Sequence, residues 1–261
     1  MNTFEHIKLE KNAAVATIQL NRPDAANGLN ARMANELNLA AQHCAGDHEL
    51  KAVILSASGR FFCAGGDIKE MLSHGDAVAE AVQSLAHDLH SAVSTLSRMQ
   101  AALIVAVNGV AAGAGFSLSL IGDIVLAAES SSFTMAYTRA GLSPDGSSSY
   151  FLPRLVGLRK AQELMLTNST LSAAEACELG LVTRVVADNE LQAQAEQVAN
   201  DLANSARLST AYVKKLLLAS SDNDLETQME LEAELVSWCA ASTDGREGIQ
   251  AFVEKRKPVF D

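Results

Sequence analysis

Apolar and polar positions alternate over residues 7–9 and again over 14–20, with Glu10-Lys11-Asn12 between them, which predicts a β-hairpin. A turn cluster, Asn21-Arg22-Pro23-Asp24, follows. Asn30 is placed to cap a helix running to about Cys44, on which Met33, Leu37 and Leu39 recur with partial helical period. Short apolar runs at 52–55, 104–107 and 124–128 suit buried strands, and 132–135 and 181–186 read the same way. Between these runs lie helical stretches: 68–99 with a softer point near Gly75, 116–120, 147–156 closed by Gly157, 158–166, and 172–179 closed by Gly180. From about Glu190 the pattern is helical only. Strands alternating with helices predict an α/β fold with mostly parallel pairing, followed by a helical region. The change falls softly near residue 200, giving a core over 1–200 and a C-terminal region over 201–261.

Composition supports one sizeable core: AVILMFWYC residues are 48% of the 261, and charged residues are 20%. The net charge of −11 disfavours nucleic acid or an anionic membrane as partner. The longest apolar run, 101–107, is far below a membrane span, and the polar N-terminus has no signal-like apolar stretch, so a cytoplasmic location is expected. Four scattered cysteines (Cys44, Cys63, Cys177, Cys239) form no CxxC pair and read as buried, inert thiols. His87 and His90 share a helix face, but nothing beside them has metal-ligand spacing, so no metal is expected.

Two small-residue loops follow apolar strands: Phe62-Cys63-Ala64-Gly65-Gly66-Asp67, and Asn108-Gly109 through Ala114-Gly115. Their glycines serve tight turns and close packing on one reading. On the other, two such loops, the second opening a helix, present two unpaired N–H groups to one oxygen as an oxyanion hole. The spacing does not fit a dinucleotide fingerprint, and Ser117 lacks the GxSxG context of a hydrolase elbow. Asp145, in Pro144-Asp145-Gly146 ahead of a helix, is a turn or capping residue on one reading and a proton-transfer carboxylate at an apolar pocket on the other. Tyr137 is a packing or pocket residue. Lys255-Arg256-Lys257 is a solvated face or a local phosphate patch.

In this order, these segments resemble the crotonase (enoyl-CoA hydratase/isomerase) family across essentially the whole chain. The resemblance is carried by Asn21-Arg22-Pro23-Asp24-Ala25-Ala26-Asn27-Gly28-Leu29-Asn30, the two small-residue loops, Gly245-Arg246-Glu247-Gly248 and Phe252-Val253-Glu254-Lys255-Arg256. It implies a spiral of ββα units with a C-terminal helical trimerisation region, a homo-trimer or hexamer, and an acyl-CoA thioester as substrate. Coenzyme A is then part of the substrate, and no separate cofactor is implied. The oxyanion donors carry over to Gly66 and Ala114. Coenzyme A would lie against Ala26, Ala64, Gly65, Asp67 and Ile68, with Phe252 and Lys255 arriving from a neighbouring subunit.

The departures are informative. Hydratases of the family carry two glutamates where this chain has Ser117 and Tyr137. Asp145 falls where some members carry their only catalytic carboxylate. Its context, with Leu152-Pro153-Arg154 after it, looks most like enoyl-CoA isomerases of the phenylacetate-degradation type. The resemblance thus implies an isomerase that moves a C=C bond by one aspartate. Three alternatives remain: a hydratase or lyase; an aryl-CoA dehalogenase or thioesterase, with Asp145 as nucleophile and His90 as base; and a non-catalytic acyl-CoA binder.

Overall fold

A computed structural model describes residues 4–260. The hairpin is present as β1 (Ile7–Asn12) and β2 (Val15–Leu20), paired antiparallel. Three strands then join in parallel, β3 (Ala52–Ala57), β5 (Ala102–Val107) and β7 (Ile124–Ala128), and β10 (Arg184–Val186) closes the edge of a six-stranded sheet. Each central strand is followed by a three-residue strand: β4 (Phe61–Cys63), β6 (Val110–Ala112) and β8 (Ser132–Thr134). These pair in parallel into a second sheet, whose edge is the two-residue β9 (Leu171–Ser172). The repeated step is strand in the large sheet, strand in the small sheet, then helix.

The sequence reading took 62–66 and 108–115 as loops throughout. Strands of three residues are too short to show a period, so β4 and β6 are corrections to that reading. The long helix expected over 68–99 is broken into α2 (Ile68–Ser73), a 3-10 turn (Gly75–Ala77) and α3 (Val78–Arg98), with the break at the softer point near Gly75. The helix expected from Phe116 begins two residues earlier, as α4 (Ala114–Ser119). The last strand is shorter than expected, because residues 181–183 lead into it as irregular chain. At Gly157 (φ 78°) the backbone leaves helical geometry inside α5 (Ser148–Thr167), so the predicted stop is a kink between two helical halves. Then come α6 (Ala173–Glu178), α7 (Leu191–Ala203), α8 (Arg207–Ala219), α9 (Leu225–Ala241) and α10 (Thr243–Glu254).

The large sheet is buried on both faces, as a mostly parallel sheet must be. Val53, Leu55, Leu103 and Val105 face the main core, which they share with α3 and with α1 (Ala31–Gly46). The alternate residues, Ala52, Ile54, Ile104 and Ala106, face Leu191, Ala195 and Ala199 of α7. Thus α7 lids the back of the sheet, and the helices after it pack outside the core. Lys214 of α8 is 7% exposed, and its ammonium donates to Leu96 O (3.0 Å) and Ala101 O (3.2 Å) while pairing with Asp123.

Asn30 caps α1 as expected, accepting from Met33 N at 2.9 Å. The turn before it is held by Asn27, fully buried at φ 50°, which accepts from Arg22 N and donates to Ser58 O and Phe61 O, each at 2.8 Å. Asparagine tolerates this left-handed geometry better than alanine. Asn27→Ala is expected to lower stability by about 2–3 kcal/mol, read as a shift of the urea midpoint at unchanged slope.

Candidate active site

The two small-residue loops meet. Leu29 N donates to Gly65 O, and Asp67 N donates to Leu29 O, both at 2.8 Å, forming a parallel bridge between Leu29 and Gly66. Neighbouring residues of an extended chain point their N–H groups to opposite sides. Gly66 N–H therefore faces away from Leu29. Ala114 is the first residue of α4, where an N–H has no intrahelical acceptor. It is turned there by Gly113, at φ 52° and ψ −121°, whose N–H goes to Thr134 O. Both Gly66 and Ala114 line one cavity of about 420 Å³. The packing reading of the glycines also holds in part: a Cβ on Gly115 would lie 2.1 Å from Cys63 O, so only glycine lets α4 cross β4 there.

Asp145 lines the same cavity, with Tyr137 beside it and Met71, Val82, Leu85 and Leu89 forming an apolar wall. Its carboxylate does not cap α5. The cap position belongs to Ser147, whose side chain makes no capping bond. Instead Asp145 Oδ1 meets His90 Nε2 of α3, on the far side of the cavity wall. Pro144 and Asp145 also border a larger cavity of about 940 Å³ that contains His90 but neither N–H donor.

The Asp145 carbonyl is gripped from three elements. Ser117 Oγ of α4 donates to it at 2.8 Å and Ser148 Oγ of α5 at 2.9 Å, while the single Tyr137 Oη proton is shared between Ser117 Oγ at 2.9 Å and the carbonyl at 3.2 Å. Burial pushes the Tyr137 phenol well above its ordinary value, so it stays protonated. Burial likewise pushes the nearby Cys63 thiol up to about 12, which makes it an inert neighbour. Sequence reading named Ser117 and Tyr137 for what they replace, and Ser148 not at all. A serine in a run of three gives no local signal of its partner.

Of the residues expected along coenzyme A, Ala64, Gly65 and Ile68 line the cavity, and Ala26 and Asp67 do not. Ala64 N donates to Ala26 O at 3.1 Å. Asp67 caps α2 through Lys69 N and Glu70 N and pairs with Arg22 at 2.7 Å. Burial opposes ionisation of Asp67, but the Arg22 guanidinium together with the Glu70 and Lys69 amides holds the carboxyl below the usual range. The Asp67 charge is thus engaged within the protein.

Phe252 and Lys255 lie at the end of α10, exposed and outside this cavity. Within the basic stretch 255–257, Arg256 is tied to Glu247 and Glu254, while Lys255 and Lys257 are exposed. Among the described residues no group of three or more His, Cys, Asp or Glu is arranged to hold a metal ion, and no helix is long and apolar enough to cross a membrane. Cys44 and Cys63 are buried as expected, whereas Cys177 and Cys239 are only partly so.

The Enoyl-CoA hydratase/isomerase profile matches residues 10–261. The chain belongs to this family. It is a crotonase-family acyl-CoA enzyme with the crotonase fold. A Rhodobacter capsulatus protein named "Probable enoyl-CoA hydratase" is 37% identical over 99% of this chain and 98% of its own length. The 1,2-epoxyphenylacetyl-CoA isomerase of Escherichia coli is 35% identical over 98% of both chains. The crystal structure of an enoyl-CoA hydratase from Polaromonas superposes with a TM-score of 0.93, at 30% identity, covering 98% of this chain and 99% of that one.

The Arg256–Glu247 pair generates a pH prediction. The bond from Arg256, with that from Val259 N, lowers the Glu247 carboxyl from 4.5 to about 2. A carboxyl depressed in the folded state contributes stability above its unfolded value and loses it as pH falls through its folded value. The segment around Val259, held by Glu247 Oε1 at 2.9 Å, should therefore loosen between pH about 4.5 and about 2. Amide hydrogen exchange at Val259 checks this, and Glu247→Gln should make exchange fast already at neutral pH.

Proposed function

We propose that this protein is an enoyl-CoA isomerase that moves a C=C bond between the Δ3 and Δ2 positions, or along a related ring-derived acyl group, with Asp145 as its base. The reading is carried by one observation: a single carboxylate shares an apolar-walled cavity with two backbone N–H groups free of internal partners. The thioester oxygen accepts from Gly66 N–H and Ala114 N–H. Asp145 takes a proton from the carbon next to the carbonyl, and the electron pair moves onto that oxygen as a dienolate. Asp145 then returns the same proton two carbons further along, which fixes the double bond in its new place. Each donor to such an oxyanion lowers the barrier by roughly 3 kcal/mol.

Hydration asks for an acid and a base on the two carbons. The two family glutamate positions hold Ser117 and Tyr137, neither of which ionises near neutral pH, so hydratase chemistry is disfavoured. Coenzyme A is placed along Ala26, Ala64, Gly65, Asp67 and Ile68, with Asp67 acting by holding α2 and the 22–28 turn in place. Phe252 and Lys255 would reach it only from a neighbouring subunit. Exposed Leu217, Leu225, Val236 and Phe252 on α8–α10 support residues 201–261 as an oligomerisation region of a trimer or hexamer. The name of the Escherichia coli relative, 1,2-epoxyphenylacetyl-CoA isomerase, supports an isomerase.

A second reading is favoured by the contact between His90 and Asp145. In an aryl-CoA dehalogenase the Asp145 carboxylate would attack the ring carbon and expel chloride, and His90 would deprotonate the water that hydrolyses the ester.

In deuterated water with a 3-enoyl-CoA, the wild-type protein should move the double bond with little deuterium entering the product, because Asp145 returns the proton it removed. Asp145→Asn should lose roughly 1,000-fold of that rate. Full activity in Asp145→Asn would remove Asp145 as base, and neither a double-bond shift nor exchange in the wild type would leave an acyl-CoA binder. Chloride release from 4-chlorobenzoyl-CoA would favour the second reading, since no isomerase step produces it.

A further inference from the structure

Asp145 sits in a segment that its own backbone holds weakly. Gly141, Gly146 and Ser147 all have positive φ (70°, 61° and 68°), and α5 starts without a side-chain cap. The firm tie is the Asp145 carbonyl, which is held from outside the segment that follows it by Ser117 Oγ, backed by the Tyr137 hydroxyl. Ser117 is completely buried on α4, three residues after Ala114, which is about 4.5 Å along the helix axis. Tyr137 stands between β8 and the 3-10 turn at Thr138–Ala140, and its hydroxyl meets both Ser117 Oγ and the Asp145 carbonyl. Gly146 packs directly on Ser117, where a Cβ would come within 2.9 Å of the Ser117 Cβ. One short helix thus carries an oxyanion donor at its first residue and, one turn on, the hydroxyl that anchors the base.

We infer that Ser117 and Tyr137 are positioning residues, a hydroxyl clamp that fixes the Asp145 loop to α4 and so sets the separation between the base and the Ala114 N–H. This rests on the reading of Asp145 as base. Neither residue touches the substrate's reacting atoms. Each acts through the Asp145 backbone, and the two act as one unit because their hydroxyls are bonded to each other. The positions that hold glutamates in hydratases have here become the mount for a different carboxylate.

The test compares Ser117→Ala, Tyr137→Phe and the double variant with Asp145→Asn, following 3-enoyl-CoA isomerisation. Each single variant should lower kcat by about tenfold, the scale of one lost hydrogen bond, with KM and melting temperature close to wild type. The double variant should lose little more than the worse single one, as expected for groups that work together. Wild-type kcat in both single variants overturns the clamp. So does a kcat loss that tracks a fall in melting temperature, because that is a folding effect. So does a double variant equal to the product of the singles. Asp145→Asn separates the two claims. If it stays active the base reading fails, whereas if it is inactive and both hydroxyl variants match wild type the clamp alone fails.

Discussion

The architecture turns on one constraint: two backbone N–H groups must go unpaired inside the protein and face the same small volume. A buried amide without a partner costs about 1–3 kcal/mol, so chains arrange to pair nearly all of them. Here the exceptions are made by topology. Gly66 sits opposite Leu29 in a parallel bridge whose bonds use residues 65 and 67, which leaves the N–H of residue 66 on the open side. Ala114 opens a helix, where no intrahelical partner exists. Each follows a strand of the small sheet, and the parallel pairing of β4 with β6 brings the two chain reversals side by side.

That pairing explains the otherwise odd second sheet. Strands of three residues add little stability by themselves, and the large sheet with its two packed faces supplies most of the buried apolar area. The small sheet works as a spacer. It sets how closely α4 crosses β4, and the bare backbone of Gly115 against Cys63 O shows how little room remains. Strand, turn and helix start are thus locked to each other before any side chain in the cavity is considered.

Much of this could be read from the sequence. The large-sheet strands announce themselves as short apolar runs, the Asn30 cap and the Gly157 interruption lie where residue chemistry puts them, and the two small-residue loops mark the chain reversals. The small sheet could not be read, because three residues give no period. Nor could the partners of single polar side chains. Asn27, Asp67 and Lys214 are fixed by groups 31, 45 and 118 residues away, and nothing nearby in the chain points to those distances. Within the basic stretch 255–257 the partner of Arg256 was hidden for the same reason: it is Glu247, nine residues back. Asp145 was ambiguous because a Pro-Asp-Gly turn is a common way to start a helix, and only the direction of its carboxylate, toward His90 and not toward the first amides of α5, removes the capping role.

The replacement of two ionisable positions by hydroxyls has an electrostatic consequence. Carboxylates confined to one cavity raise each other's pKa, so adding glutamates at 117 and 137 would make proton affinity a shared property of three groups. Neutral hydroxyls avoid that coupling. Tyr137 is pushed further from ionisation by burial, and Ser117 does not ionise, so neither competes with Asp145 for a proton. Among the described residues, the titratable group recorded in contact with the Asp145 carboxylate is His90, which lines the cavity without the N–H donors. On the reading of Asp145 as the base, the absence of an acid on the cavity side has a purpose: an acid there would carry the proton away, and the acyl carbons would exchange hydrogen with solvent instead of passing one proton between them. A hydroxyl at 117 and a phenol at 137 hold the loop by its carbonyl without adding such an acid.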